Sequence, residues 1–439
     1  MKKYIENNIS NMLSDLKQLV SFNSVYAEDE KPFGSQNRKV LDKALEIFKE
    51  KGLETKNLDY YCGYGQTGEG DESIGILAHL DVVPAGEGWN SDPFEMVEKD
   101  GYVYGRGVTD DKGAVIAGLY AIKYLLDTGY KFKKKVRLIV GCNEESGSEC
   151  IKYYVSKEGH IDYGFTPDAD FPGIYGEKGM VGGIFAFDSD KILDIKGGDA
   201  SNVVCKKVKA TLKENSFDVK VLSDFFKENN IEYTLEDNEL TVFGKAAHAS
   251  TPDLGVNAIN YLMVGLYKAG INDKGVDNFV KHIGLDLHGE SLGLEEVKDD
   301  VTNSSVNIGI AFKEGNKICL SVDCRFPIKT NKDIVVPYFE KMENFKLYRA
   351  VNPLYFDVNS PFIKALNNAY QDVTGDYDSK MEAIGGGTYA KSINNCIAFG
   401  PEFAGETPKI HDANESLSIE SLKKATEIYI EAIKNLNEL

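Results

Sequence analysis

The segment GILAHLDVVPAG, residues 75–86, constrains this chain more than any other. Its run through Ile76, Leu77 and Ala78 reads as a buried strand, yet His79 and Asp81 follow among Leu80, Val82 and Val83. Burying an imidazole and a carboxylate costs free energy unless each finds a partner. Side chains alternate across a strand, so the two groups share a side. Pro84 marks the strand's end, and ligands of open α/β sheets gather at the carboxyl ends of strands. A metal-ligating histidine whose other ring nitrogen is held by a carboxylate explains the pair. A buried histidine satisfied by its neighbour explains it too, and on this motif alone is the stronger reading.

The surrounding pattern predicts an α/β fold. Val40, Leu41, Ala44, Leu45 and Phe48 share one face of a helix over 35–51 that Gly52 ends. The glycine-rich stretch GYGQTGEGDES lacks the Gly-Lys-Ser/Thr of a phosphate cradle and reads as a surface loop. A hairpin turns at Asp100-Gly101, a helix covers 111–128, and Val136 to Cys142 forms another buried strand. Strands alternating with helices imply a catalytic domain with a mixed, largely parallel sheet flanked by helices. Near residue 181 the texture changes to hairpins such as IEYTLEDNELTVFG, and helix–strand alternation returns near 351. The expected division is a discontinuous first domain, 1–181 and 351–439, interrupted by an α+β domain over 182–350.

With 439 residues the chain is long enough for two cores. A formal net charge of −19 repels phosphate backbones and argues against nucleic-acid binding. No apolar run is long enough to span a bilayer, and the opening MKKYIENNIS is too polar for a signal peptide. Seven cysteines without a Cys-x-x-Cys pair read as reduced thiols of a cytoplasmic protein.

Four further segments bear on the His79 question. GRGVTDDKG puts Asp110 at a strand–helix junction, where Asp110-Asp111 could equally cap the helix. Asn143-Glu144-Glu145 ends an apolar strand, and adjacent carboxylates there repel unless a cation relieves them. GFTPDADFP leads into Asp168, and PKIHDANES places His411 before the last helix. Together His79, Asp110, Glu145, Asp168 and His411 form a nitrogen–oxygen set sufficient for two divalent ions, which suits zinc, manganese or cobalt.

In order along the chain, HLDVVPAG, GRGVTDDKG, NEESG, TPDADFP, GKAAHASTP and the late His411 resemble the two-metal hydrolase superfamily that includes carboxypeptidase G, aminoacylase and succinyl-diaminopimelate desuccinylase. The chain is most similar to its bacterial PepV-like (Xaa-His) dipeptidase branch. The resemblance implies two metals per chain, zinc foremost, with His79 and His411 as terminal ligands and Asp110 as bridge. Glu145 would join one metal and Asp168 the other, with Glu144 as general base and Asp81 beside His79. It further implies His248 as an oxyanion donor, and Arg325, Asn202, Gly386 and Gly387 as holders of the substrate's terminal carboxylate. Asp at position 168 matches the peptidase branch, whereas desuccinylases and carboxypeptidase G carry Glu there. The long inserted domain matches the branch whose lid replaces a partner subunit, implying a monomer that acts on a small peptide. The alternatives are an N-acyl amino acid deacylase or desuccinylase on the same scaffold, and a catalytically silent metal-binding protein.

Overall fold

The computed structural model describes residues 1–439, and the chain divides into two compact units. The first comprises Met1–Tyr175, Phe356–Glu382 and Gly387–Leu439; the second comprises Gly176–Tyr355 and Ala383–Gly386. The inserted unit therefore runs further at both ends than the 182–350 expected, for a reason visible in its sheet. Strand Gly179–Asp188 pairs with Phe345–Val351 from Met180 onward, so both strands belong wholly to it.

At the centre of the first unit four strands run parallel, in the order Lys135–Gly141, Ser73–His79, Tyr163–Thr166 and Cys396–Ala398. Antiparallel strands extend the sheet: Cys62–Thr67 and Glu54–Leu58 beyond the first, Ile174–Glu177 beyond the last. Helices Lys112–Asp127 and Ile419–Asn437 pack on the Ser73–His79 strand and on each other, and Lys2–Val20 packs against both. Ile76, Leu77, Ala117, Leu138 and Ile430 are fully buried there.

The glycine-rich stretch is not a surface loop throughout, since its first half is the strand Cys62–Thr67. Its glycines answer to packing. A Cβ on Gly65 would stand 2.8 Å from Leu53 Cδ2 and 3.0 Å from Phe48 Cδ2. Period-2 patterning is invisible where side chains are absent, so the strand left no signal in the sequence.

The inserted unit is built on an eight-stranded antiparallel sheet, ordered Tyr233–Glu236, Glu239–Phe243, Lys207–Leu212, Ile192–Gly197, Ser305–Glu314, Lys317–Phe326, Gly179–Asp188 and Phe345–Val351. Helices Val219–Glu228, Ala258–Lys268, Lys274–His282 and Lys332–Glu340 contribute Leu222, Leu262, Phe279 and Phe339 to a core shared with Phe185 and Leu320. No helix of the protein is long and apolar enough to cross a membrane. All seven cysteines are free and buried.

Candidate metal centre

Three neighbouring parallel strands of the first unit end on one edge of the sheet. His79 is the last residue of its strand and pairs with Gly141, the last of the next. Asn143, Glu144 and Glu145 follow that partner. On the other side, Thr166 closes its strand and donates its hydroxyl hydrogen to the Leu77 carbonyl at 2.8 Å, with Asp168 just beyond. The parallel sheet thus delivers imidazole, glutamates and aspartate to one edge from segments far apart in sequence. Two loops complete the set. One precedes helix Lys112–Asp127 and carries Asp110; the other precedes helix Ile419–Asn437 and carries His411.

Asp110 occupies the middle. Its Oδ1 lies 2.9 Å from His79 Nε2 and its Oδ2 lies 3.0 Å from His411 Nε2. His411 Nε2 also lies 3.1 Å from Glu145 Oε1. His79, Asp110 and Glu145 each offer a donor atom, and these atoms lie within 4.8 Å of one another.

Asp81 does not act as the sequence suggests. His79 Nδ1 meets the Asp81 backbone carbonyl at 3.0 Å, whereas the Asp81 carboxylate stands 3.7 Å from that nitrogen. The backbone carbonyl therefore fixes Nδ1 as the protonated nitrogen and leaves Nε2 to face Asp110. The Asp81 carboxylate accepts the backbone N–H of Glu144 at 3.0 Å and of Glu145 at 3.1 Å, which orients both glutamates. Asp111 likewise makes no side-chain cap for its helix; its carboxylate accepts the His79 N–H at 3.1 Å.

Acids outnumber bases here, and the protonation equilibria show it. Burial pushes Asp81 up to about 6 and, with the charges of Asp81 and Glu145, pushes Glu144 up to about 7. Burial and the Asp110 charge raise Asp168 well above the usual carboxylate range. Burial opposes ionisation of Asp110 as well, but hydrogen bonds from His411 and His79 hold its carboxyl low. Hydrogen bonds to Asp110 and Glu145 draw His411 up to about 10, and His79 rises despite its burial because Asp110 faces it. Lys112 supplies little charge, since burial brings it down to about 7. Burial is the first cause for the carboxylates and close like charges add to it, while the imidazoles are drawn up by the carboxylates that face them. Divalent ions would relieve the crowding of carboxylates, and imidazole with carboxylate is the donor chemistry they take.

The other sequence-singled residues lie in the inserted unit, except Gly387, which follows the crossing back into the first. His248 is exposed and forms an isolated bridge with Val203, while Asn202 accepts the Ala249 N–H at 2.9 Å. The folding of this unit thus brings Asn202 and His248 side by side. His248 Nδ1 accepts the Ser250 N–H at 3.2 Å, which leaves the ring proton on Nε2 in the neutral form. Arg325 is buried, and its fork is already engaged. Nε and Nη2 reach the two oxygens of Asp323 at 2.6 and 3.1 Å, and Nη1 reaches the Gly385 carbonyl at 3.3 Å. Sequence reasoning did not single out Glu415, which is fully buried behind Asp110. A carboxylate four residues after a candidate ligand, in a segment otherwise suited to a loop, was the available signal.

A sheet edge bearing His79, Glu145 and Asp168, with Asp110 and His411 from adjoining loops, has the donor chemistry of a divalent-cation site. Residues 75–435 match the family described as Peptidase family M20/M25/M40. A Staphylococcus epidermidis protein named "Putative dipeptidase" is 35% identical over 451 residues, covering 96% of each chain. The chain belongs to peptidase family M20/M25/M40 and is a peptidase. Among solved structures, human carnosine dipeptidase 1 has a TM-score of 0.60 at 16% identity, covering 100% of this chain and 98% of that one. A Staphylococcus aureus tripeptidase has a TM-score of 0.59 at 17% identity, covering 98% and 99%. At such identities the likeness establishes the shared fold.

Proposed function

We propose that this peptidase is a metal-dependent dipeptidase of the PepV-like branch, cleaving dipeptides with free amino and carboxyl termini. The observation that carries the reading is the Asp110 carboxylate, whose two oxygens face His79 and His411 separately at 2.9 and 3.0 Å. A carboxylate so divided is placed to serve two cations at once. The name of the Staphylococcus epidermidis relative supports the substrate class.

In this reading His79, Asp110, Glu145, Asp168 and His411 hold two divalent ions, zinc foremost, with manganese and cobalt suited to the same donors. When bound, such ions supply Lewis acidity toward the scissile carbonyl and an acidified water. Glu144 takes the proton of the attacking water and returns it to the departing amine. Asp81 sets the orientation of Glu144 through the backbone. His248 donates from Nε2 to the developing oxyanion. The N–H groups of Arg325 not engaged by Asp323, with Asn202 and the amides of Gly386 and Gly387, hold the substrate carboxylate. The buried thiols and the long inserted unit support a cytoplasmic monomer.

The test is element analysis of the purified protein together with a panel of dipeptides and of N-acetyl and N-succinyl amino acids, each before and after chelation. Chelator-sensitive cleavage confined to dipeptides is expected. Cleavage of the acylated amino acids alone would move the chain to the deacylases, and undiminished turnover after complete chelation would remove the metal centre.

A further inference from the structure

Four donors converge on the Glu415 side chain, all from the short loop that presents Asp110. Oε1 accepts the backbone N–H of Thr109 at 2.9 Å and of Asp110 at 3.2 Å. Oε2 accepts the N–H of Gly107 at 3.0 Å and Arg106 Nη1 at 2.8 Å. Both ends of the ion pair are out of water, with Glu415 at 0% and Arg106 at 1% exposure. Every acceptor position of the carboxylate is thus used, and three of the four bonds bind the backbone, fixing the peptide that leads into Asp110. Gly107 has a φ of +83°, which glycine adopts without strain, and a Cβ there would stand 2.8 Å from Val82 Cγ1.

Glu415 belongs to the same turn as His411. Lys409, His411 and Asn414 all adopt left-handed backbone, with φ of 58°, 64° and 64°. Non-glycine residues keep that conformation only where surrounding bonds hold them. Asn414 supplies two, accepting the Asn90 N–H at 2.8 Å and donating to the Gly88 carbonyl at 3.1 Å. Glu415 contributes its carbonyl to Gly105 N–H at 3.1 Å besides its carboxylate. Glu415 thus fastens the turn that carries His411 to the loop that carries Asp110, alongside the Thr109 hydroxyl, which donates to the Ser416 carbonyl at 3.0 Å.

We propose that Glu415 is a positioning residue that sets the Asp110 carboxylate and the His411 imidazole as one unit, and so fixes the geometry in which the candidate centre takes divalent ions. Glutamine is nearly the same shape but cannot serve, because in either orientation its amide N–H would face donors, Gly107 N–H with Arg106 or Thr109 N–H with Asp110 N–H. This inference rests on the metal-centre reading, and the experiment separates the two. Wild type, Glu415→Gln and Glu415→Asp are stripped of metal and titrated with Co(II), following heat of binding and the visible Co(II) absorption bands, alongside kcat, KM and thermal midpoint. Asp15→Asn serves as control, since Asp15 is a buried carboxylate joined to Lys51 at 2.9 Å and Tyr120 at 2.7 Å in the same unit.

For E415Q the expected result is Co(II) affinity lower by about 10–100-fold with altered bands and a fall in kcat greater than any change in KM. E415D, which keeps the charge, recovers part of the affinity. D15N lowers the midpoint but binds Co(II) as wild type does. An E415Q protein with wild-type affinity, bands and kcat, lowered only in midpoint, overturns the proposal and makes Glu415 part of the frame alone. Should E415Q not fold, wild-type binding by E415D overturns it equally. A wild-type chain that binds no Co(II) sinks the metal-centre reading itself.

Discussion

Asp323 and Arg325 stand two residues apart on one strand of the inserted unit, each 5% exposed, and close on each other through two nitrogen–oxygen bonds. At the carboxyl edge of the first unit's sheet, Asp81, Asp110, Asp111, Glu144, Glu145 and Asp168 have the imidazoles of His79 and His411 among them. The Asp323–Arg325 pair balances its buried charge from within the chain. The sheet edge does not, and burial together with this crowding of like charges displaces its protonation equilibria. The buried pair holds its geometry from within the chain, whereas the unbalanced cluster has the donor chemistry that divalent ions take.

Breaking each side of that contrast gives different readouts. Glu144→Gln should have the largest effect, a loss in kcat of about 10²–10⁴-fold with wild-type divalent content, measured by steady-state kinetics and element analysis. Full activity in this variant would strip Glu144 of its role as base. Asp323→Ala strands a buried guanidinium and should lower unfolding free energy by about 3–5 kcal/mol in urea titrations, with divalent content unchanged. A neutral result would mean that the pair contributes nothing as a balanced unit. Gly65→Ala tests the frame rather than the charges. Its new methyl presses on Leu53 and Phe48, and overpacking of this kind costs about 1–3 kcal/mol, read as a lower denaturation midpoint with kinetics intact.

The smallest effect is a slope. In chelated protein the folded state holds Glu144 at about 7 and Asp81 at about 6, above their ordinary values of 4.5 and 3.8. The folded state therefore binds more protons than the unfolded one across that interval. The stabilisation is complete below the ordinary values and is lost as pH rises through about 6 to 7. His411, raised to about 10, adds a loss of the same sign above its ordinary 6.5, while Asp110, held low, contributes steadily here. The thermal midpoint of chelated protein should fall between about pH 5 and about pH 7.5, less so in Glu144→Gln, and divalent ions should remove the fall. A midpoint that rises over this range in chelated protein would contradict this crowding of carboxylates.

Much of the frame could be read before any coordinates. The helix ending at Glu50, the turn at Asp100-Gly101 and the helix starting after Asp111 lie close to their expected places, because apolar spacing and turn residues are local signals. Helix Lys2–Val20 went unread, and so did strand Cys62–Thr67, whose glycines leave no alternation to see. At the site, sequence singled out His79, Asp110 and Glu145 because each interrupts or ends an apolar or glycine-rich segment, and His411 because it stands in a loop before the last helix; the structure brings these four together. The partners themselves were not. Asp81 holds the Glu144–Glu145 backbone rather than the imidazole, Asp111 holds a strand N–H rather than capping a helix, and Asp323 fills the fork of Arg325.

The reason is a difference of range. Composition, periodicity and punctuation act over a few residues, so the order of donors along the chain was settled by sequence, as was the α/β alternation that carries them. Which oxygen of Asp110 meets which imidazole depends on parallel register between strands and on a turn some three hundred residues away, fastened through Glu415. Hydrogen-bond partners at that separation are chosen by packing, and only the folded chain decides them.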